Sequence, residues 1–202
     1  LPKREAGWQA AMIKRAERYA DAVVVTSHAA GEVLAERTRL GTRVRVVPPA
    51  PLLDPAGEDR TGAIVLLVGR DTEDAEPLAK RIGQALGEEV RVERTDAGSG
   101  LAPSVAGARL VIHLGDGNTF PYAALHAMAG GTPLAIRANP VALETVADAA
   151  EVFDAADTDA IVEAAQRALR RADQLTVLGQ DRAKAYTWRS AAEKVWQLHA
   201  DL

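Results

Sequence analysis

The sequence predicts an α/β fold in which helices cover both faces of a parallel sheet. Short runs of Val, Ile and Leu alternate along the chain with longer stretches rich in Ala, Glu and Arg, the pattern of a doubly wound fold. Of the 202 residues, 48% are hydrophobic and only 4% are aromatic, so the core must consist of Ala, Val and Leu. The length suits one large domain or parts of two.

The first fifty residues predict a helix, a strand, a helix and a second strand. We expect an amphipathic helix over 2–19, a buried strand over 21–26, a helix over 28–37 capped by Ser27 and a short strand over 44–47. The stretch PPAPLLDPAGEDRTG follows, with four prolines and two glycines, and its composition is typical of a linker.

A second unit begins with an apolar strand over 63–68 that ends in Gly69-Arg70. The pattern then predicts further strands over 89–94, 109–114, 134–137 and 151–153, and helices over 74–86, 141–147, 158–171 and 183–202. We therefore predict the end of one Rossmann-like domain over 1–50, a hinge over 51–61, a second Rossmann-like domain over 62–182 and a C-terminal helix over 183–202 that crosses back to the first domain.

Composition excludes several kinds of protein. The net charge is −4, and the basic excess of the first fifty residues, +4, is scattered over helix faces with no aromatic interleaving, so we expect no nucleic-acid partner. No apolar run approaches the roughly 20 residues of a membrane-spanning helix. The absence of cysteine excludes disulfides and suits a cytoplasmic protein. His28, His113 and His199 show no metal-ligand spacing, and Trp8, Trp188 and Trp196 are predicted to be packing residues.

The segment FPYAALHAMAGGTP, residues 120–133, is the most informative stretch of the chain. It predicts a loop, a short helix and a glycine stop, followed directly by a buried strand. A helix that begins just after a strand presents free backbone N–H groups and the positive end of its dipole, which together favour a phosphate or another anion.

This segment resembles the donor-binding motif of the retaining, two-domain (GT-B) glycosyltransferases. In their family-4 branch a typical form is EGFGLPPLEAMACGTPVV, and a gapless comparison matches eight residues: Phe120, Leu125, Ala127, Met128, Ala129, Gly131, Thr132 and Pro133. Asn118 and His126 stand where the family has its two glutamates. Four further stretches resemble the family in the same order: ERYADAVVVTSHAAGEVL, VRVVPP, AIVLLVGR and AYTWRSAAEKVWQLHADL.

The resemblance implies a role for each matched position. Gly69 and Arg70 would hold the diphosphate of a nucleotide sugar together with the backbone of Thr119, Phe120 and Pro121. His126 would contact the ribose, and Asn118 would face the transferred sugar. The family lysine would fall at residue 75 or 76, where this chain has Ala and Glu.

Each of these residues also has an ordinary structural interpretation. Arg70 is next to Asp71 and near Glu73, with which it could form a surface ion pair. Residues 119–121 could simply start a helix, since Pro121 suits a first turn. His126 could be a partly buried histidine with an unrelated partner, and Asn118 lies in GDGN, a strong turn composition.

The sequence thus predicts the donor-binding half of a GT-B glycosyltransferase, with residues 1–50 closing the acceptor-side domain. The resemblance implies a nucleotide-diphosphate sugar as ligand and no obligatory metal or other cofactor. It also implies a missing N-terminal domain, in keeping with a chain that starts at Leu1. One alternative is a non-catalytic relative that has lost the donor-site carboxylates. A weaker one is an unrelated doubly wound binding domain.

Overall fold

The structure is a computed structural model that describes residues 3–51, 62–69, 72–95, 101–115, 119–154 and 157–202. In these ranges the strands are β1 (Val23–Val25), β2 (Val44–Val46), β3 (Ile64–Val68), β4 (Val90–Arg94), β5 (Leu110–His113), β6 (Leu134–Arg137) and β7 (Glu151–Phe153). The helices are α1 (Lys3–Tyr19), α2 (His28–Arg37), α3 (Ala75–Leu86), α4 (Leu101–Ala106), α5 (Tyr122–Ala129), α6 (Pro140–Val146), α7 (Thr158–Arg170), α8 (Ala172–Ala183) and α9 (Trp188–Asp201).

The chain divides into two compact units. Unit 1 contains Leu1–Pro49 together with Trp188–Leu202, and unit 2 contains Ala50–Thr187. The C-terminal helix α9 therefore groups with the beginning of the chain, although it follows unit 2 in sequence. None of the described helices is long and apolar enough to cross a membrane.

Unit 2 is built on a parallel sheet with the strand order β4-β3-β5-β6-β7. β3 and β5 are completely buried, since helices cover both of their faces. The first strand of the unit, β3, lies inside the sheet. The next strand, β4, pairs on one side of β3, and the strand after it, β5, pairs on the other side. The order reverses between β3 and β5, and such a reversal is where open α/β sheets bind ligands. The predicted doubly wound α/β fold is confirmed.

Alternate residues of each central strand point into two separate hydrophobic layers. Val65, Leu67 and Val111 belong to one layer, which also contains residues of α4, α5 and α6. Ile64, Leu66 and Leu110 belong to the other layer, with residues of α3 and α7. Because successive side chains of a strand point to opposite faces, each central strand contributes residues to both layers. Aromatic side chains are scarce in both layers, as the composition predicts.

Two helices of unit 2 were not predicted. The sequence pattern predicts no helix within 101–107 or 172–182, yet α4 and α8 lie there. α8 contains Thr176 and Gly179, which are weak helix formers. A Cβ on Gly179 would lie 3.3 Å from Cα of Met128, so α8 packs closely against α5. Tertiary packing rather than local propensity therefore accounts for this helix.

The predicted C-terminal helix also needs correction. It was expected over 183–202, but α8 ends at Ala183 and α9 begins only at Trp188. Tyr186, which was expected inside the helix, lies in the connection between them and is buried.

Unit 1 buries little apolar surface. Its parallel sheet has two strands among the described residues, β1 and β2. Arg43 ties α1 to this unit by donating to the carbonyls of Glu17 and Ala20, at 3.0 and 2.9 Å. The buried hydrophobic side chains that the structure describes in unit 1 are Leu40 and Ala191.

The three tryptophans were predicted to be packing residues, and this prediction is wrong. Trp8 is 67% exposed, Trp188 53% and Trp196 76%. All three belong to unit 1. Their helical spacing with apolar neighbours does identify an apolar face, but that face is open to solvent.

Candidate functional site

The switch point between β3 and β5 brings several chain segments to one edge of the sheet. Gly69 follows β3 directly, and Leu114 and Gly115 follow β5. The N–H of Leu114 donates to the carbonyl of Leu67 at 3.0 Å, which keeps the two strand ends together. Gly115 has φ +79°, a left-handed conformation that favours glycine. A glycine thus lies within two residues of the end of each central strand at this edge.

The ends of β5 and β6 meet beside this edge. A Cβ on Gly115 would lie 4.0 Å from Nδ1 of His113 and 3.7 Å from Nδ2 of Asn139. His113 is 4% exposed. Asn139 caps α6 by accepting a hydrogen bond from the N–H of Ala142 at 2.9 Å. An imidazole and an amide therefore lie within reach of the glycine turn.

The N-terminus of α5 opens at the same edge, since α5 follows β5. Its cap position is Pro121, which has no N–H and makes no side-chain cap. The N–H of Tyr122 folds back to the carbonyl of Phe120 at 2.9 Å. The N–H groups of Ala123 and Ala124 donate to no acceptor within the described part of the chain.

These two N–H groups are notable because Ala123 and Ala124 are buried residues. Buried backbone donors are nearly always paired in folded proteins, with protein, water or ligand. The helix dipole adds a partial positive charge at the same place. The start of α5 can therefore accept an anion, although it offers fewer donors than a helix without a proline and a turned-back N–H would.

His126 lies one turn into α5 and is 6% exposed. Its Nδ1 lies 2.7 Å from the carbonyl of Tyr122. Because a carbonyl oxygen only accepts, Nδ1 must carry the proton of this hydrogen bond.

The other predicted site residues divide into two groups. Gly69 follows β3, and Thr119 and Phe120 lie between β5 and α5, all at the carboxyl edge of the sheet. Arg70 and Asn118 lie outside the described residues. The described part of the chain contains no group of three or more His, Asp or Glu side chains arranged to hold a metal ion.

Comparison with solved structures places this architecture among known folds. A sucrose-phosphate synthase from Thermosynechococcus elongatus is similar with a TM-score of 0.71 and 21% identity, over 100% of this chain and 64% of that one. Anabaena HepE, solved in complex with UDP and glucose, is similar with a TM-score of 0.76 and 12% identity, over 96% of this chain and 66% of HepE. A glycosyltransferase from Rickettsia africae has a TM-score of 0.72 and 11% identity, over 100% and 67%.

The fold is that of the GT-B glycosyltransferases. The predicted resemblance is confirmed at the level of the fold, while the chain spans only about two thirds of the length of these relatives. No family model and no curated protein matches the sequence.

Within the GT-B fold, the second half of the FPYAALHAMAGGTP segment is structural. Gly130 approaches Ala106 of α4 so closely that a Cβ on it would lie 2.7 Å from that residue's Cβ. Gly131 has φ +74°, and its carbonyl accepts from the hydroxyl of Thr176 at 2.8 Å. Thr132 donates to the carbonyl of Ala106 at 2.8 Å. Gly131 and Thr132 match the family form, while Gly130 does not. All three lie at the end of α5 away from its N-terminus, so they support the fold rather than a ligand.

Two residues near the α5 end of the site were not among the predicted site residues. Asn139 was not singled out, although an Asn followed by Pro after a strand is a recognisable helix start. Tyr186 was seen only as part of the closing AYTW motif. Its contact with Phe120, whose ring centroid is 6.1 Å away, depends on tertiary structure alone.

A mostly apolar groove of about 520 Å³ also lies in unit 2, at the other end of α5. Its walls come mainly from α8, and the lining includes Ala129, Val177 and Leu178. It lacks the open helix N-terminus that distinguishes the carboxyl edge.

Proposed function

We propose that this chain is the donor-binding part of a GT-B glycosyltransferase that transfers a sugar from a nucleotide diphosphate, with retention of configuration. One observation carries the proposal: the start of α5 opens at the switch point with two buried N–H groups that have no protein acceptor among the described residues. The solved complex of HepE with UDP and glucose supports the choice of ligand, since that protein shares the fold.

In this proposal the diphosphate lies between Gly69 and the N-terminus of α5. The N–H groups of Ala123 and Ala124 bind phosphate oxygens, and the guanidinium of Arg70 neutralises their charge. His126 contacts the ribose, and Asn118 faces the sugar. The chain itself supplies no carboxylate at either position where the resemblance expects one.

We further propose that unit 1 is the end of the acceptor-side domain and that an additional N-terminal domain completes it. A two-stranded parallel sheet is not stable alone, and parallel sheets are normally covered on both faces. Val24 of β1 is nevertheless 49% exposed. In α1, Trp8 is 67% exposed and Met12 is 48% exposed. The additional domain would cover this apolar face and supply the acceptor site.

A titration with UDP, GDP and their glucose or mannose conjugates tests the donor proposal. We expect dissociation constants in the millimolar range, because each lost charged hydrogen bond costs about 1.5–3 kcal/mol, or roughly ten-fold or more in affinity. Arg70→Ala should weaken binding further. Arg91→Ala is the matched control, since Arg91 is an exposed arginine of β4 before its carboxyl end.

A gain-of-function variant makes the test sharper. Asn118→Glu combined with His126→Glu restores both carboxylates and should tighten donor binding. If this variant folds normally and binds no better, those positions do not face the donor and the glycosyltransferase assignment of the segment fails.

The second candidate, a binding module without catalysis, is favoured by the occupied Nδ1 of His126. That nitrogen already bonds the carbonyl of Tyr122, so the side chain cannot reproduce the two acceptors of a glutamate. Donor binding without sugar transfer or donor hydrolysis in the longer gene product would select this candidate.

A further inference from the structure

Two segments that lie far apart in the sequence meet in unit 2. Phe120 opens the FPYAALHAMAGGTP segment, and Tyr186 belongs to the AYTW motif. Their ring centroids lie 6.1 Å apart with the rings tilted by 59°. Phe120 also makes an edge contact with Tyr122, at 5.1 Å and 71°. These distances and angles are those of favourable aromatic pairs. The contact joins the chain just before α5 to the last residues of unit 2.

Tyr186 is firmly anchored on its other side. Its side chain is buried, and its hydroxyl lies 3.3 Å from the carbonyl of Thr145, to which it donates. The guanidinium of Arg182 donates to the carbonyls of Thr145 and Glu144, at 2.9 and 2.6 Å, and lies 5.5 Å from the Tyr186 ring. Those carbonyls belong to the last turn of α6. Tyr186 is therefore fixed by both α6 and α8.

The start of α5, in contrast, is not held by a cap of its own. Pro121 provides neither an N–H nor a side-chain cap. The N–H of Tyr122 depends on the carbonyl of Phe120, and that of Leu125 depends on the carbonyl of Pro121, at 2.9 and 3.1 Å. The position of Phe120 thus decides where the first turn of α5 lies. The direction of the N–H groups of Ala123 and Ala124 follows from that turn.

We propose that Tyr186 is a positioning residue of the donor site, which acts by holding Phe120 and hence the first turn of α5. This inference rests on the proposed function and adds a residue to its site. Tyr186 does not touch the ligand itself. Tyr186 is fixed by α6 and α8, and its ring contacts Phe120 just before the anion-binding end of α5.

Two measurements on Tyr186→Leu test this role. Amide hydrogen exchange at Tyr122 and Leu125 should accelerate by about ten-fold or more, since local opening of the first turn becomes easier. The affinity for UDP, measured by NMR titration, should fall by about ten-fold, because backbone N–H groups that are moved out of position form weaker hydrogen bonds to the phosphate. Tyr186→Phe keeps the ring and should leave both values within about two-fold of those of the natural chain.

Two controls separate positioning from general loss of stability. Tyr19→Leu makes the same change at a tyrosine of unit 1 that is 66% exposed, and it should alter neither measurement. Leu175→Ala removes a buried side chain of α8 that belongs to the opposite hydrophobic layer. It should lower the stability of the chain without selective acceleration at Tyr122 and Leu125.

The outcomes are distinct. A folded Tyr186→Leu variant with unchanged exchange and unchanged UDP affinity overturns the proposal. If that variant does not fold, Phe120→Leu removes the other ring and must give the same two effects. If the natural chain binds no UDP at all, the proposed function fails. The exchange measurement still decides in that case whether Tyr186 positions α5.

Discussion

Ala147 is the residue with the least favourable backbone conformation in the described part of the chain. It follows α6 with φ 51° and ψ −115°, and it is the one described non-glycine residue with positive φ. Its side chain is exposed, so no packing compensates for the strain. This conformation suits glycine far better than alanine.

We therefore expect Ala147→Gly to stabilise unit 2 by about 1 kcal/mol, measured by urea unfolding. Ala160→Gly in α7 is the control, since a glycine within a helix should destabilise by about 0.5–1 kcal/mol. If both variants lose stability, Ala147 is not strained in solution.

Glu151 is a second residue whose surroundings predict a measurable effect. It lies at the start of β7, is 8% exposed, and accepts from Nε of Arg167 at 2.8 Å and from Arg171. Burial alone would raise the pKa of this carboxyl, but the hydrogen bonds and charges of the two arginines outweigh it and lower the pKa below its ordinary value.

Glu151→Gln should therefore cost roughly 1.5–3 kcal/mol at neutral pH. Because the pKa is lower in the folded state, the stabilisation is complete above the unfolded pKa of about 4.3 and is lost as pH falls through the folded pKa. Urea unfolding between pH 7 and 3 should show that the free energies of unfolding of the natural chain and of Glu151→Gln become equal at the acid end. A stability difference that is constant with pH would contradict this explanation.

At the scale of elements, the contact between α4 and α5 predicts an unusually sensitive glycine. Gly130 has φ −73°, which any residue can adopt. A Cβ there would nevertheless lie 2.7, 2.8 and 3.0 Å from Cβ, Cα and the carbonyl oxygen of Ala106. Two of these are backbone atoms, which cannot rotate away.

Gly130→Ala should destabilise the chain by about 1–3 kcal/mol through overpacking, again measured by urea unfolding. Ala106→Gly in the same chain should restore little of this loss, because the backbone contacts remain. Full recovery in the double variant would show that α4 can shift away from α5.

The elements also show where local sequence signals suffice. Strand and helix periodicity predicts β3, α3, β7 and α7 to within one residue at each end, because each has a strong apolar pattern. It fails for α4, a short helix with Pro103 inside it, and for α8, whose amphipathic pattern is weak. Both of these are held by contacts with α5, which no local window contains.

At the scale of the whole molecule, the two units differ in how much core they contain. Nine of the twelve exposed large hydrophobic side chains in the described chain belong to unit 1, while both hydrophobic layers lie in unit 2. Exposed apolar surface of this kind marks a region that binds a further partner or unfolds easily.

Limited trypsin digestion should therefore cut within 3–49 and 188–202 first and leave a fragment that contains most of 62–187. Mass spectrometry identifies the cleavage sites. Arg81 of α3 and Arg170 of α7, both exposed, serve as internal controls that should be cut later. In a longer gene product with an additional N-terminal domain, the early cuts in unit 1 should slow. Early cleavage at Arg81 or Arg170 would contradict the difference between the units.

The sequence alone determined the order of the strands and of the helices other than α4 and α8, the doubly wound class and the position of α5 after a buried strand. These follow from apolar periodicity and from turn residues, which are local properties. Tertiary structure decided which parts of the matched segment support the fold and which face the carboxyl edge. It also decided that Tyr186 meets Phe120 and that the tryptophans are exposed. Such facts depend on contacts between residues far apart in sequence, and local patterns carry no information about those distances.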